Sequence, residues 1–82
     1  MSAAQASNIK IIYVPLLNEG TPVVRPTQGV PMGDRVYRLL ETPDYDPEVE
    51  NWEFPPGSVV QCVFEVRDGE RILVARTLVS AN

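Results

Sequence analysis

The run from Trp52 to Val66 restricts this chain most. It joins the only tryptophan, a Pro55-Pro56-Gly57 turn and the longest apolar stretch. Consecutive prolines fix φ and push the residue before each of them into extended backbone. Gly57 carries no Cβ, so Pro56-Gly57 suits the centre of a type II turn. Beyond the turn, Val60, Cys62, Phe64 and Val66 alternate with Val59, Gln61, Val63 and Glu65. The first set is wholly apolar and is expected to face a core, so the stretch reads as a central β-strand.

Arg67-Asp68-Gly69 ends that strand, and Glu70 to Val79 forms the return. A two-residue Asp68-Gly69 loop would pair Glu65 with Ile72 and Phe64 with Leu73. A three-residue loop with Gly69 in a left-handed bulge would pair Glu65 with Arg71, Phe64 with Ile72 and Cys62 with Val74. The second register sets opposite charges across from one another, and on that ground it is the expected one.

Eighty-two residues suit a single domain, expected over 8–80 behind a disordered lead-in over 1–7. The lead-in lacks the basic and apolar regions of a signal peptide, and no stretch approaches membrane-spanning length. Cys62 is alone, so the chain can form no internal disulfide, as suits a reducing cytoplasm. The net charge is −4, and it is unevenly spread: Glu41, Asp44, Asp46, Glu48, Glu50 and Glu53 follow one another with no base among them. An acidic chain without a cationic track argues against nucleic acid as a partner, and nothing points to a membrane surface.

The first strand is expected from Asn8 to Val14, with Pro15 at a bend or edge. Asn18 to Gly20 reads as a loop tip. Pro22 to Pro26 reads as a short proline-bracketed strand, poorly suited to a central position. Thr27 to Asp34 reads as an interrupted strand ending in a Gly33-Asp34 hairpin tip, and Arg35 to Leu40 returns with Tyr37 and Leu39 on one face. In the acidic segment, Asp46-Pro47-Glu48 has a helix start's chemistry, which predicts one or two helical turns before Pro55. These elements make an all-β fold: a small five- to six-stranded, partly open barrel of the SH3-like type with one short helical turn, with an OB-like barrel as the alternative.

Val14-Pro15-Leu16-Leu17, Glu19-Gly20-Thr21, Arg25-Pro26, Tyr37-Arg38-Leu39 and Trp52-Glu53-Phe54-Pro55-Pro56-Gly57-Ser58-Val59-Val60 resemble a set of short bacterial proteins of unassigned function. The resemblance runs over roughly residues 9 to 76. It implies a small cytoplasmic β protein of bacterial type, and it brings with it no catalytic residue and no ligand.

The chain has no histidine, which removes the commonest general base and the Ser-His and Cys-His nucleophile pairs. One cysteine without histidine offers no zinc site of the thiolate–imidazole kind, and no glycine-rich phosphate loop occurs. No metal and no cofactor is expected. Cys62 sits on the apolar face of its strand and reads as a small buried hydrophobe rather than a reactive thiol. The acidic segment could offer oxygens to calcium, but its spacing does not match the helix–loop–helix calcium loop. A solvated loop is the plainer reading of it.

Two readings of Trp52, Phe54 and Tyr45 compete. As a peptide groove beside Glu48 and Glu50, they would bind a basic or proline-rich polypeptide, as SH3-like domains do. As core, Trp52 and Phe54 would cap one end of a small barrel, and so small a core needs its large side chains. A Glu19–Arg25 pair is expected to close the first loop, in preference to Arg25 and Arg38 binding an anion. The expected function is a non-enzymatic protein- or peptide-binding module, with Trp52, Phe54, Tyr45, Glu48 and Glu50 as the binding group and no catalytic residue. The alternative is an assembly protein, a homodimer joined through proline-bounded edge strands. A carboxylate enzyme is the weakest reading, because its acids crowd into one loop instead of standing apart on rigid elements.

Overall fold

The structure is a computed structural model, and it describes residues 8–81. The lead-in expected over 1–7 lies outside them. Five strands follow in order: β1 (Lys10–Pro15), β2 (Val24–Gly33), β3 (Val36–Leu39), β4 (Val59–Arg67) and β5 (Glu70–Ser80). Each pairs antiparallel with the next, and β1 pairs with β5 to close a barrel. In a meander with an odd number of strands the first and last run the same way, so this closing pair must be parallel. It is also short, joining only Ile12 to Leu73 and Tyr13 to Val74. The barrel is therefore closed rather than partly open, and five-stranded. Both SH3-like and OB-like barrels are of this general kind.

The core follows strand alternation in β1 and β3. Ile12 and Val14 point inward from β1, and Tyr37 and Leu39 from β3. Val60, Cys62, Val74 and Ala75 complete the wall, with Trp52 and Phe54 over one part of it. The type II turn at Pro55 to Ser58 is present: Ser58 N–H donates to Pro55 O at 3.1 Å and Gly57 has φ 93°.

The proline-bracketed segment is not a separate short strand. Pro26 and Pro31 lie inside one ten-residue strand, β2, between β1 and β3. Its first half, Val24 to Gly29, pairs with β1, and its second half, Gly29 to Gly33, pairs with β3. Pro26 stands opposite Tyr13 and Pro31 opposite Tyr37, so each proline has one side free for its missing N–H. The β2–β3 tip is one residue later than expected, at Asp34-Arg35, with Arg35 at φ 58°.

The helix expected at Asp46 does not form. Asp46 O accepts from the amides of Val49 and Glu50, both at 2.9 Å, and Asp46 Oδ1 accepts from Glu48 N at 3.0 Å. The cap is made, but only an isolated turn over 47–49 follows, with no helix, and three residues later Trp52 is bridged to Leu16. The expected β4–β5 register is also corrected. Arg67 pairs with Glu70, Glu65 with Ile72 and Phe64 with Leu73, which is the two-residue loop. Asp68 at φ 52° and Gly69 at φ 81° give the type I′ turn that matches strand twist.

Candidate functional site

The acidic segment between β3 and β4 folds back on the barrel and spends much of its chemistry internally. Leu17 N–H donates to Asn51 O at 2.7 Å, and Glu53 N–H donates to Pro15 O at 2.9 Å. Trp52 is 4% exposed and Phe54 7% exposed. Tyr45 meets Trp52 edge to face, with ring centroids 4.9 Å apart. The Trp52 indole N–H donates to Glu50 Oε1 at 3.0 Å. So the structure brings Tyr45, Glu50 and Trp52 together as an internal clasp, sets Phe54 into the core, and leaves Glu48 exposed with its backbone tied to Asp46. Neither Trp52 nor Phe54 has a ring face free for a peptide.

Arg25 of β2 anchors this clasp. Its Nη2 donates to both carboxylate oxygens of Asp44, at 2.7 and 2.9 Å, and its Nε lies 3.4 Å from Glu50 Oε1. The first contact is a two-oxygen hydrogen bond; the second is a charge contact without hydrogen-bond geometry. Hydrogen bonding to Asp44 holds the guanidinium above its ordinary pKa, and the guanidinium holds the Asp44 carboxyl below its own. The partner of Arg25 is thus Asp44 with Glu50, not Glu19, and its charge is met from within the chain. Among the described residues no group of three His, Cys, Asp or Glu side chains could hold a metal ion. Cys62 is buried, and desolvation pushes its thiol up to about 11, far from thiolate chemistry at neutral pH.

A different surface is open. β4 has nine residues and β3 only four, so β4 runs about 30 Å against about 13 Å and outlasts its neighbour. Beyond Cys62 it pairs only with β5; at Phe64 the β5 partner Leu73 is still bonded to β1, so only the tip, Glu65 to Arg67 with Glu70 to Ile72, is a two-stranded ribbon. Val60 and Cys62 are buried as expected, but Phe64 is 46% exposed and Val66 73% exposed. The expectation that all four face the core holds for the first pair and fails for the second. Val63 is also exposed on β4 and Ile11 on β1, while Leu78 and Val79 are exposed at the far end of β5, beside Val60 and Val59.

Ile11, Tyr13, Phe64 and Leu73, with the cations Lys10 and Arg71, line a hollow of about 300 Å³ beside the β1–β5 seam. The Arg71 guanidinium lies 4.0 Å from the centre of the Phe64 ring. Glu65 is clamped by Arg76 at 2.6 and 2.8 Å and approached by Arg67 at 3.4 Å. Arg76 first, and Arg67 after it, hold the Glu65 carboxyl below its ordinary pKa. Arg76 is the extra residue of a bulge, since Cys62 pairs with Ala75 while Gln61 pairs with Thr77. The sequence-based reading missed this surface. The signal was available as a length mismatch, an apolar alternation in β4 that continues beyond the reach of β3.

Among the described residues no helix is long and apolar enough to cross a membrane. Comparison of the chain with protein-family models, with curated proteins and with solved structures finds no match.

Proposed function

We propose that this chain is a non-enzymatic, SH3-like module that binds another polypeptide through the β4–β5 ribbon. One observation carries the reading: the core alternation of β4 continues through Phe64 and Val66, where β3 no longer flanks the strand and the two side chains are left half-exposed and mostly exposed. Isolated apolar side chains on a surface are ordinary, but a stripe in register with the core is a contact surface in waiting. The surface proposed from sequence alone, around Trp52 and Phe54, is set aside because those rings pack the core. Within the acidic segment, Asp44 and Glu50 are engaged by Arg25, which weakens the case for a basic ligand there. A chain without histidine and with a thiol raised to about 11 supports a binding role over catalysis. A lone thiol without a disulfide partner suits the cytoplasm.

Photo-crosslinking tests the reading. A photoreactive phenylalanine analogue at position 64 is expected to join the chain to a discrete polypeptide in cells. The same analogue at Val49, which is 74% exposed but off the ribbon, is the control. Identical adducts from both positions, or none from position 64, would refute the ribbon as a binding surface.

A further inference from the structure

Charge sorts the hollows on the surface of this barrel. The one beside the β1–β5 seam holds two charged side chains, Lys10 and Arg71, and no carboxylate lines it. A second, of about 290 Å³, shares Ile11 with it and carries Glu41 with no cation. A third, of about 320 Å³, shares Tyr13 and sets Arg67 beside Asp68 and Glu70. Of the three, only the first is cationic and free of acid. Its two cations are also unspent. Arg25, Arg67 and Arg76 are each met by a carboxylate of the chain. Lys10 and Arg71 make no ion pair among the described residues, in a chain of eleven acids and seven bases. Arg35 and Arg38 make none either, but they line none of the three hollows. Arg71 lies over the Phe64 ring at 4.0 Å, a contact that restricts its rotamers and leaves its N–H donors free. A guanidinium so held can grip a carboxylate through two parallel hydrogen bonds. Val66 stands across from Arg71 and is mostly exposed, which continues the apolar surface beside the cation.

We propose that this hollow receives an acidic segment of a partner polypeptide, in which a large apolar side chain is flanked by carboxylates. The apolar side chain packs against Ile11, Phe64 and Leu73, and the carboxylates meet Lys10 and Arg71. This rests on the polypeptide-binding reading above and names the chemistry of its partner. The net charge of −4 opposes an acidic segment at a distance. That repulsion is screened over about 8 Å at physiological salt, whereas the contacts inside the hollow are screened much less. A nucleic acid is the less suited anion. Two cations neutralise few phosphates, and the aliphatic Ile11, Ile72 and Leu73 offer no stacking platform for bases. A second copy meeting this one face to face would set like cations together.

Fluorescence anisotropy with the full chain and a labelled hexapeptide, Glu-Glu-Leu-Phe-Glu-Glu, tests the inference. Its dissociation constant is expected between about 10 μM and about 1 mM, as for a small transient contact. Glu-Glu-Ser-Ser-Glu-Glu and Lys-Lys-Leu-Phe-Lys-Lys should each bind at least about tenfold more weakly. Lys10→Glu and Arg71→Glu should each weaken the acidic peptide at least about tenfold. Both side chains are exposed, so the far-ultraviolet circular dichroism should not change. Arg71→Glu should also gain affinity for the basic peptide, a switch that loss of structure cannot produce. An acidic peptide that fails to bind at about 1 mM, or that binds both variants as tightly as wild type, overturns the inference. Oligo-deoxythymidine binding more tightly than the acidic peptide overturns it too, by making the ligand a nucleic acid. If any of these results comes while position 64 still crosslinks to a discrete polypeptide in cells, the binding-module reading stands and only this inference falls. If position 64 crosslinks to nothing, both fall.

Discussion

Gly29 lies where β2 passes from β1 to β3, and a Cβ built there would stand 2.6 Å from Ile12 Cγ1 and 3.1 Å from Tyr37 Cβ. Ile12 is fully buried and cannot retreat. Gly29→Ala is therefore expected to lose about 1–3 kcal/mol in denaturant titration, the usual range for overpacking a core. Gly33→Ala is the control: its Cβ would meet Val36 at an ordinary 3.7 Å, and the loss should stay within about 0.5 kcal/mol. Glu65 supplies a second residue-scale test. Arg76 and Arg67 lower its folded pKa, so its contribution is present above the unfolded carboxylate value and is lost as pH falls through the folded one. Glu65→Gln should thus cost up to about 1 kcal/mol near neutral pH, where the partly exposed pair is screened by solvent. The gap from wild type should close at acid pH; a constant gap down to pH 2 would assign the loss to packing instead.

Turns and strand lengths govern the next scale. Asp68 and Gly69 both take positive φ, so Gly69→Ala should lower the denaturation midpoint by about 1 kcal/mol, while Asp68→Asn, which tolerates that backbone equally well, should not. If both substitutions were neutral, the two-residue turn would not be what sets the register. The same turn explains which part of the fold was legible in the sequence. Alternation placed Tyr37 and Leu39 correctly, and Pro55 to Ser58 announced its own turn, because those signals are local. The β4–β5 register was misjudged because side-chain pairing favoured Glu65 with Arg71, whereas the backbone at Asp68-Gly69 prefers two residues in the loop. Glu65 instead finds Arg76, a residue displaced by a bulge that no local pattern announces. Pro26 and Pro31 misled in the same way. A proline excludes a ladder bond on one side only, and β2 changes partner at Gly29, so each proline keeps a free side. The exposed stripe was hidden because alternation in β4 reports a wish for burial, not whether the barrel is long enough to supply it.

At the scale of the whole molecule, every strand is bonded to two neighbours, and the long acidic segment is tied to the barrel at several points. Leu17 holds Asn51, Pro15 holds Glu53, and Arg25 holds Asp44. Trp52 sits at the centre of those ties, nine-tenths and more buried, and it is the only tryptophan. It therefore reports whether the segment belongs to the barrel's cooperative unit. Its emission in the folded protein is expected to be blue and resistant to iodide. On denaturant titration the Trp52 signal and the far-ultraviolet dichroism should trace one transition, as small two-state domains do. If Trp52 moves to red emission at a lower denaturant concentration, the segment opens while the barrel persists. The aromatic rings would then be available to a ligand in that opened state, and the groove suggested by Trp52, Phe54 and Tyr45 would return as a property of a minor conformation. A single shared midpoint leaves the ribbon as the one surface proposed for a partner, because exposing Trp52 would then cost the free energy of unfolding the barrel.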